Sequence, residues 1–580
     1  MAAQKNKHTA WKWVAGILAI LLLAAGGTAL YLGAKWKPML KEKISQGVYE
    51  GSDHLYRIDF RDMQLNLLAG SASLQGVVLR PDTATFTQLK AAGQLPVHIF
   101  RIELEKLQIS RIGILTAYFK KRADLRAILL DKPSISISHY PGKKKADTAK
   151  AEKTLYQLLS GTLKSLHIGQ ILIKDADFNY LNGDNNKPLN TIRHLDVTVK
   201  DLLVDSLSQY DTTRFYYTKD VTFSLSGYRA PGKGKMYGMK IDTIRGSAAR
   251  GEITVKGFQM IPMYPELEFS RKYTYGHDRY DISFQKISLL GVDFGKIVRE
   301  GVLEARSLHL GPAKTNIFVN RELPPPPKFD KVRNFPHIAV RRIPMPTVID
   351  SVLIDNIDVA YTEYNPISKK KGTIYFQNLK GSITNITNDS TRLAKNNHAI
   401  AKLSAKVMKA SRIDVTIDFN LTDKLAAFSY NGSVAPMNLK VLNPMAKDMG
   451  LVEIESGQMQ GVTFNIKANS RGSSGTVRFL YSDLKIKLYG DPEAGEKPKK
   501  KGLLSFLANT LLIKDNNPDK KGEAPRIARI TFTRTPAASF FNQLWKGVFI
   551  GLRESAGLGA VPVKTPEQAM KKVREKLHKD

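Results

Sequence analysis

Along most of this chain, hydrophobic and polar residues alternate with a period of two. Ile135 and Ile137 are interleaved with Ser134, Ser136 and Ser138, and Val221, Phe223 and Leu225 with Thr222, Ser224 and Ser226. The longest run is Ile413, Val415, Ile417, Phe419 and Leu421, separated by Asp414, Thr416, Asp418 and Asn420; Val462, Phe464 and Ile466 follow the same rule. Successive side chains of a strand point to opposite faces, so each run predicts a strand with one apolar and one wet face. Clusters of Gly, Asn and Asp, such as residues 182–186, punctuate the runs as turns. Residues 50–490 therefore read as mainly β, chiefly an antiparallel meander.

Two segments break the period. Val14–Gly33 is a 20-residue window without a charge. As a helix it reaches about 30 Å, one bilayer hydrocarbon core. Trp11 and Trp13 stand at one end, and Tyr31 and Trp36 at the other, where amphipathic aromatics favour the interfaces. A cleaved signal peptide is the alternative, but the window is longer than the apolar region of a signal peptide and runs on through Leu30, Tyr31 and Leu32, so an uncleaved signal anchor is expected. Its N-terminus is placed in the cytoplasm and the bulk of the chain outside. Near the other end, Phe540, Phe541, Leu544, Trp545, Val548 and Phe549 recur at helical spacing. That stripe fits either core packing or docking on a bilayer surface. Further amphipathic stretches follow Leu503 and Thr565.

The body carries an internal echo. Ile171–Tyr180 (ILIKDADFNY) aligns with Val352–Tyr361 (VLIDNIDVAY), each followed by a Thr-Ile pair and later by Asp-Ser. A separation of this length exceeds solenoid repeats and suggests two related modules. Between them lies Leu323-Pro324-Pro325-Pro326-Pro327, with Pro336, Pro344 and Pro346 beyond. Proline is excluded from mid-sheet positions, which places a connector at 322–347, either a boundary between modules or a long loop on one continuous sheet. The expected organisation is a stub and anchor at 1–36, a β module at 37–321, the connector, a second β module at 348–495, and a helical segment at 496–580.

Composition narrows the chemistry. The 580 residues include no cysteine, which excludes disulfide scaffolds, cysteine nucleophiles and thiolate metal sites. No nucleotide-binding glycine loop, zinc-protease motif or hydrolase elbow is present, and the 11 His are scattered singly. No catalytic residue, metal site or cofactor is expected, and the chain reads as a non-enzyme. The net charge is +35, with Lys triplets at 143–145, 369–371 and 499–501. These triplets lack interleaved aromatics, so nucleic acid is not the expected partner. Attraction to anionic headgroups fits the anchor better.

Three blocks in order, Tyr56–Asp82, Ile109–Ile137 (with Lys132-Pro133-Ser134-Ile135) and Leu166–Tyr180, resemble AsmA-like proteins of Gram-negative envelopes, as does Ile454–Leu488. Arg534–Leu552 falls outside that resemblance. The resemblance implies an elongated, curled antiparallel sheet forming an apolar groove. It implies a single-pass inner-membrane protein with a periplasmic body, contributing to phospholipid transport between membranes and to outer-membrane integrity. Periodicity agrees, because apolar faces repeated over hundreds of residues need cover that acyl chains can supply. The groove candidates are Ile135, Ile137, Val221, Phe223, Leu225, Ile413, Val415, Ile417, Phe419, Leu421, Val462, Phe464 and Ile466. The alternative is a non-catalytic envelope scaffold or assembly factor for outer-membrane proteins, engaged at exposed sheet edges.

Overall fold

The computed structural model describes residues 36–66, 70–112, 116, 119–140, 155–160, 163–327, 329–366, 368–450, 452–488 and 514–557. They are mainly β, with 23 strands paired into sheet. The chain divides into two compact units: residues up to 228 with 243–253, and 229–242 with 254 onward.

In the first unit, Ser71–Pro81 pairs antiparallel with Tyr56–Asp59 and Asp62–Asn66 on one side and with His98–Ile112 on the other. His98–Ile112 then receives two strands, Arg122–Asp131 and Ser134–His139, antiparallel. Both run parallel to Ser165–Asn182, which is followed antiparallel by Pro188–Val204 and Asp220–Pro231. A parallel pair needs a crossover connection, and this one contains the short helix Leu155–Leu159. The Trp36–Gly51 helix buries Leu40, Ile44 and Val48, spaced four apart along one face.

The second unit repeats the arrangement. Arg279–Leu290 pairs antiparallel with Leu303–Leu310 and Ala313–Asn320, and both of those run parallel to Thr347–Asn365. Lys370–Thr387, His398–Val407, Ser411–Asn420, Phe428–Val434, Val452–Ala468, Gly472–Leu488 and Ile527–Thr533 then follow, each antiparallel to the one before. The meander expected from the sequence is thus interrupted once in each unit by a parallel crossover.

This topology explains the internal echo. Ile171–Tyr180 and Val352–Tyr361 lie in the two strands that follow a crossover. The strand before each crossover breaks at Lys132-Pro133 or at Gly311-Pro312. At Gly311, φ is 121°, and a Cβ would lie 1.8 Å from the Asp355 carbonyl oxygen, so the break there requires glycine. The shared Asp has a backbone role. Asp177 Oδ1 accepts from the His194 N–H at 3.3 Å, and Asp358 Oδ1 from the Asn378 N–H at 2.9 Å. Both donors sit in left-handed bulges, with φ of 57° and 50°. The Asp-Ser pairs are caps: Asp389 caps Ser390–Lys395, and Asp205 accepts from the Ser208 N–H.

The proline-rich segment is part of a crossover. It lies within the second unit, where residues 321–346 form the crossover and carry the helix Pro336–Arg341. Proline excludes the interior of a sheet but does not distinguish a linker from a crossover. Among the described residues no helix is long and apolar enough to cross a membrane. Val14–Gly33, with Trp11, Trp13 and Tyr31, lies outside the described residues, as do the stretches after Leu503 and Thr565; Trp36 begins the first described helix.

A candidate apolar binding face

Strand register lines the alternating residues up into rows. In the second unit one row runs Leu289, Leu308, Val352, Ile383, Ala401, Ile417, Tyr430, Ile466, Gly475 and Ile530, each opposite the next. A second row, one pleat along, includes Ile287, Leu310, Ile354, Leu403, Val415, Phe464 and Val477, with Gly381 and Gly432 between them. Ten strands therefore share one apolar face, because a slip of one residue would turn a whole strand over. In the first unit Val221, Val199, Ile171, Ile128, Ile109 and Ala72 form a comparable row, as do Phe223, Val197, Ile173, Leu130, Leu107 and Leu74.

The cover over these rows is uneven. In the second unit Ile417, Tyr430, Ile466 and Ile530 are buried, whereas Leu289, Leu308, Ile282 and Phe284 are only half-buried. The Phe540–Ser555 helix covers the buried end. Its Gln543, Gly547, Gly551 and Ser555 form a buried stripe at four-residue spacing. The Gln543 amide donates to the carbonyls of Asn469 and Gly472 at 2.9 and 3.1 Å. Phe540 packs against Phe335, Phe419 and Phe428, with centroids 5.4, 5.6 and 5.1 Å away, and Phe541 lies 4.8 Å from Tyr361. Leu544, Trp545 and Val548 pack on the same sheet, and Phe549 stacks on Trp545. The large residues of this helix are half-buried against the sheet.

The crossover adds cover through Phe335 and Ile338, the following segment adds Leu439, Leu442 and Met445, and the crossover is tied down by charge. Arg321 pairs with Glu363, Asp330 with Arg534, and the Lys331 ammonium sits 2.9 Å from both Asp278 oxygens. The Arg341 guanidinium donates to the carbonyls of Asn420 and Asp423 at 3.2 and 2.9 Å. Burial works to raise the Glu363 pKa, but the Arg321 charge and hydrogen bonds outweigh it and hold the carboxyl below its ordinary range. Burial lifts the Tyr361 hydroxyl well above its usual value, and that hydroxyl donates to Glu363 at 2.6 Å. His337, on the crossover helix, is 2% exposed and 5.1 Å from the Phe419 ring; burial depresses its pKa to about 4.

The expected groove residues divide accordingly. Ile417, Phe419, Leu421, Val462, Phe464 and Ile466 lie in the closed core under the helix and crossover. Val415 is half-buried at its margin, and Ile413 is half-buried as well. In the first unit Leu225 is buried, while Ile135, Ile137, Val221 and Phe223 are half-buried. The expected lining thus falls, within each unit, on both buried and half-buried positions. Sequence reasoning missed Leu308, and Ile282, Phe284 and Leu289, whose alternation is interrupted by Gln285-Lys286. No protein-family model matches the chain, and no curated protein matches it. Among the described residues no group of His, Asp and Glu is arranged to hold a metal ion.

Proposed function

We propose that this chain is an AsmA-like, inner-membrane-anchored protein whose body lies in the periplasm and carries phospholipid acyl chains on the uncovered part of its apolar sheet face. The supporting observation is the thinner cover along rows that stay apolar: Ile282 and Phe284 are half-buried, as are Leu289 and Leu308, which pack with Val292, Phe294 and Ile297, whereas Ile417 and Ile466 on the same face are buried. Apolar side chains left half-buried at the end of such rows leave room for an occupant. An acyl chain satisfies them because its contacts are non-directional and scale with area. The recognition chemistry is burial alone, so no nucleotide or metal is required for binding.

The reading is tested by purifying the full chain in a mild detergent and quantifying bound phospholipid by mass spectrometry, with a photo-crosslinking phenylalanine analogue at Phe284 or at Phe419. Phospholipid should crosslink at position 284 and not at 419. Lipid-free protein, or crosslinking to protein alone at position 284, would overturn the proposal.

A further inference from the structure

The opposite face of the second unit's sheet is also ordered in register. One row reads Lys402, Thr416, Asn431, Asn465, Thr476 and Arg529. The next reads Lys380, Ser404, Asp414, Ser433, Thr463 and Arg478, and on the other side lie Asp418, Ser429, Lys467, Ser474 and Thr531. Five of these groups are cations that make no ion pair among the described residues. The two carboxylates are already engaged: Asp414 by Arg412 at 2.9 Å, and Asp418 by His398 at 2.6 Å. The remaining groups are amides and hydroxyls. The surface is concave here. A shallow, open basin of about 1020 Å³ is lined by Lys380, Lys402, Ser404, Thr416, Asn431 and Asn465, with Asp355 and Asp414 also in its lining. A second, of about 570 Å³, is lined by Lys467, Arg471, Ser474 and Thr531.

We infer that this wet face binds an extended anionic glycan laid across the strands. Neighbouring strands stand about 4.8 Å apart, so each row presents a polar group at a fixed interval, as the successive sugars of an extended chain do. Asn side chains offer donor and acceptor together, and Ser and Thr hydroxyls offer either, which suits sugar hydroxyls. Lys and Arg recognise a carboxylate or phosphate through charge-assisted hydrogen bonds. The Lys402 row contains no aromatic side chain, so it offers no stacking platform for nucleobases. The surplus positive charge selects an acidic over a neutral polysaccharide.

The test uses the full chain in phosphatidylcholine nanodiscs and isothermal titration with hexagalacturonate, maltohexaose, a single-stranded DNA of matched charge, and phosphatidylglycerol vesicles. Binding of hexagalacturonate is expected, at least tenfold tighter than maltohexaose or DNA. The double variant Lys402→Gln/Arg529→Gln should weaken it at least tenfold while leaving circular dichroism and bound phospholipid unchanged. These are exposed positions, so the variant keeps its fold. Equal affinity for maltohexaose, tighter binding of DNA or vesicles through the same residues, or an unaltered titration in the variant would each overturn the inference. So would the absence of hexagalacturonate binding.

Discussion

At the scale of single residues, Phe419 and His337 report what closes the apolar face. Phe419 is 5% exposed and touches His337, Phe428 and Phe540. Phe419→Glu would place an unpaired carboxylate among these rings, at a cost of several kcal/mol. A large fall in melting temperature is expected, whereas Phe284→Glu, at a half-buried position, should leave the fold intact and deplete lipid. Equal melting temperatures for the two variants would contradict the closed core. His337 adds a pH dependence whose sign is fixed. Its ordinary pKa is about 6.5, and its folded value is depressed to about 4 by burial, so below pH 6.5 the unfolded chain binds the proton more readily. Stability from this group is complete above about pH 6.5 and drains as pH falls toward 4, reaching about 3 kcal/mol. His337→Phe should flatten that part of the stability–pH curve, measured by urea unfolding at pH 7 and pH 4.5. An unchanged slope would show that the ring is hydrated and not buried.

At the scale of elements, the Phe540–Ser555 helix is set by its smallest residues. A Cβ on Gly551 would lie 2.3 Å from Val477, and one on Gly547 would lie 2.3 Å from the Tyr430 hydroxyl. Gly551→Leu should therefore lift the helix from the sheet, with overpacking costing about 1–3 kcal/mol. Increased binding of a hydrophobic dye at native pH, with most β-sheet dichroism retained, is the expected result; a variant as stable and as dye-silent as the parent would show that the helix is not seated there. The same element shows what was legible in the sequence. Period-two runs such as Ile413–Leu421 announced strands, because alternation maps directly onto a pleated face. The large apolar residues of the last described helix announced amphipathicity, but not the covering partner. The discriminating signal was Gln543, Gly547, Gly551 and Ser555, a small-residue stripe at helical spacing that marks close approach to another surface. The proline run marked a break in the sheet, yet whether it joined two units or crossed over one depended on the pairing of Ala313–Asn320 with Thr347–Asn365, a long-range contact that local composition does not encode. Lys132-Pro133 and Gly311-Pro312 similarly hid a common break behind different residues.

At the scale of the whole molecule, the proposed lipid carriage depends on where the chain is held. The charge-free window at 14–33 supplies the proposed anchor, and its length of about 30 Å as a helix matches one crossing. Lysines flank it on both sides, so flanking charge does not settle orientation; a long following domain is translocated largely regardless of such charge. The function proposed above requires the sheet on the side where the second membrane lies, so it predicts residues beyond about 36 outside the cytoplasm. Protease added to intact spheroplasts should then digest the body and leave only a small N-terminal fragment with the membrane. Alkaline carbonate should fail to extract the undigested chain, because a spanning helix is held by burial and not by charge. Protection of the full-length chain from protease would place the sheet on the cytoplasmic side, and release by carbonate would remove the anchor; either result would separate this protein from transfer across the periplasm.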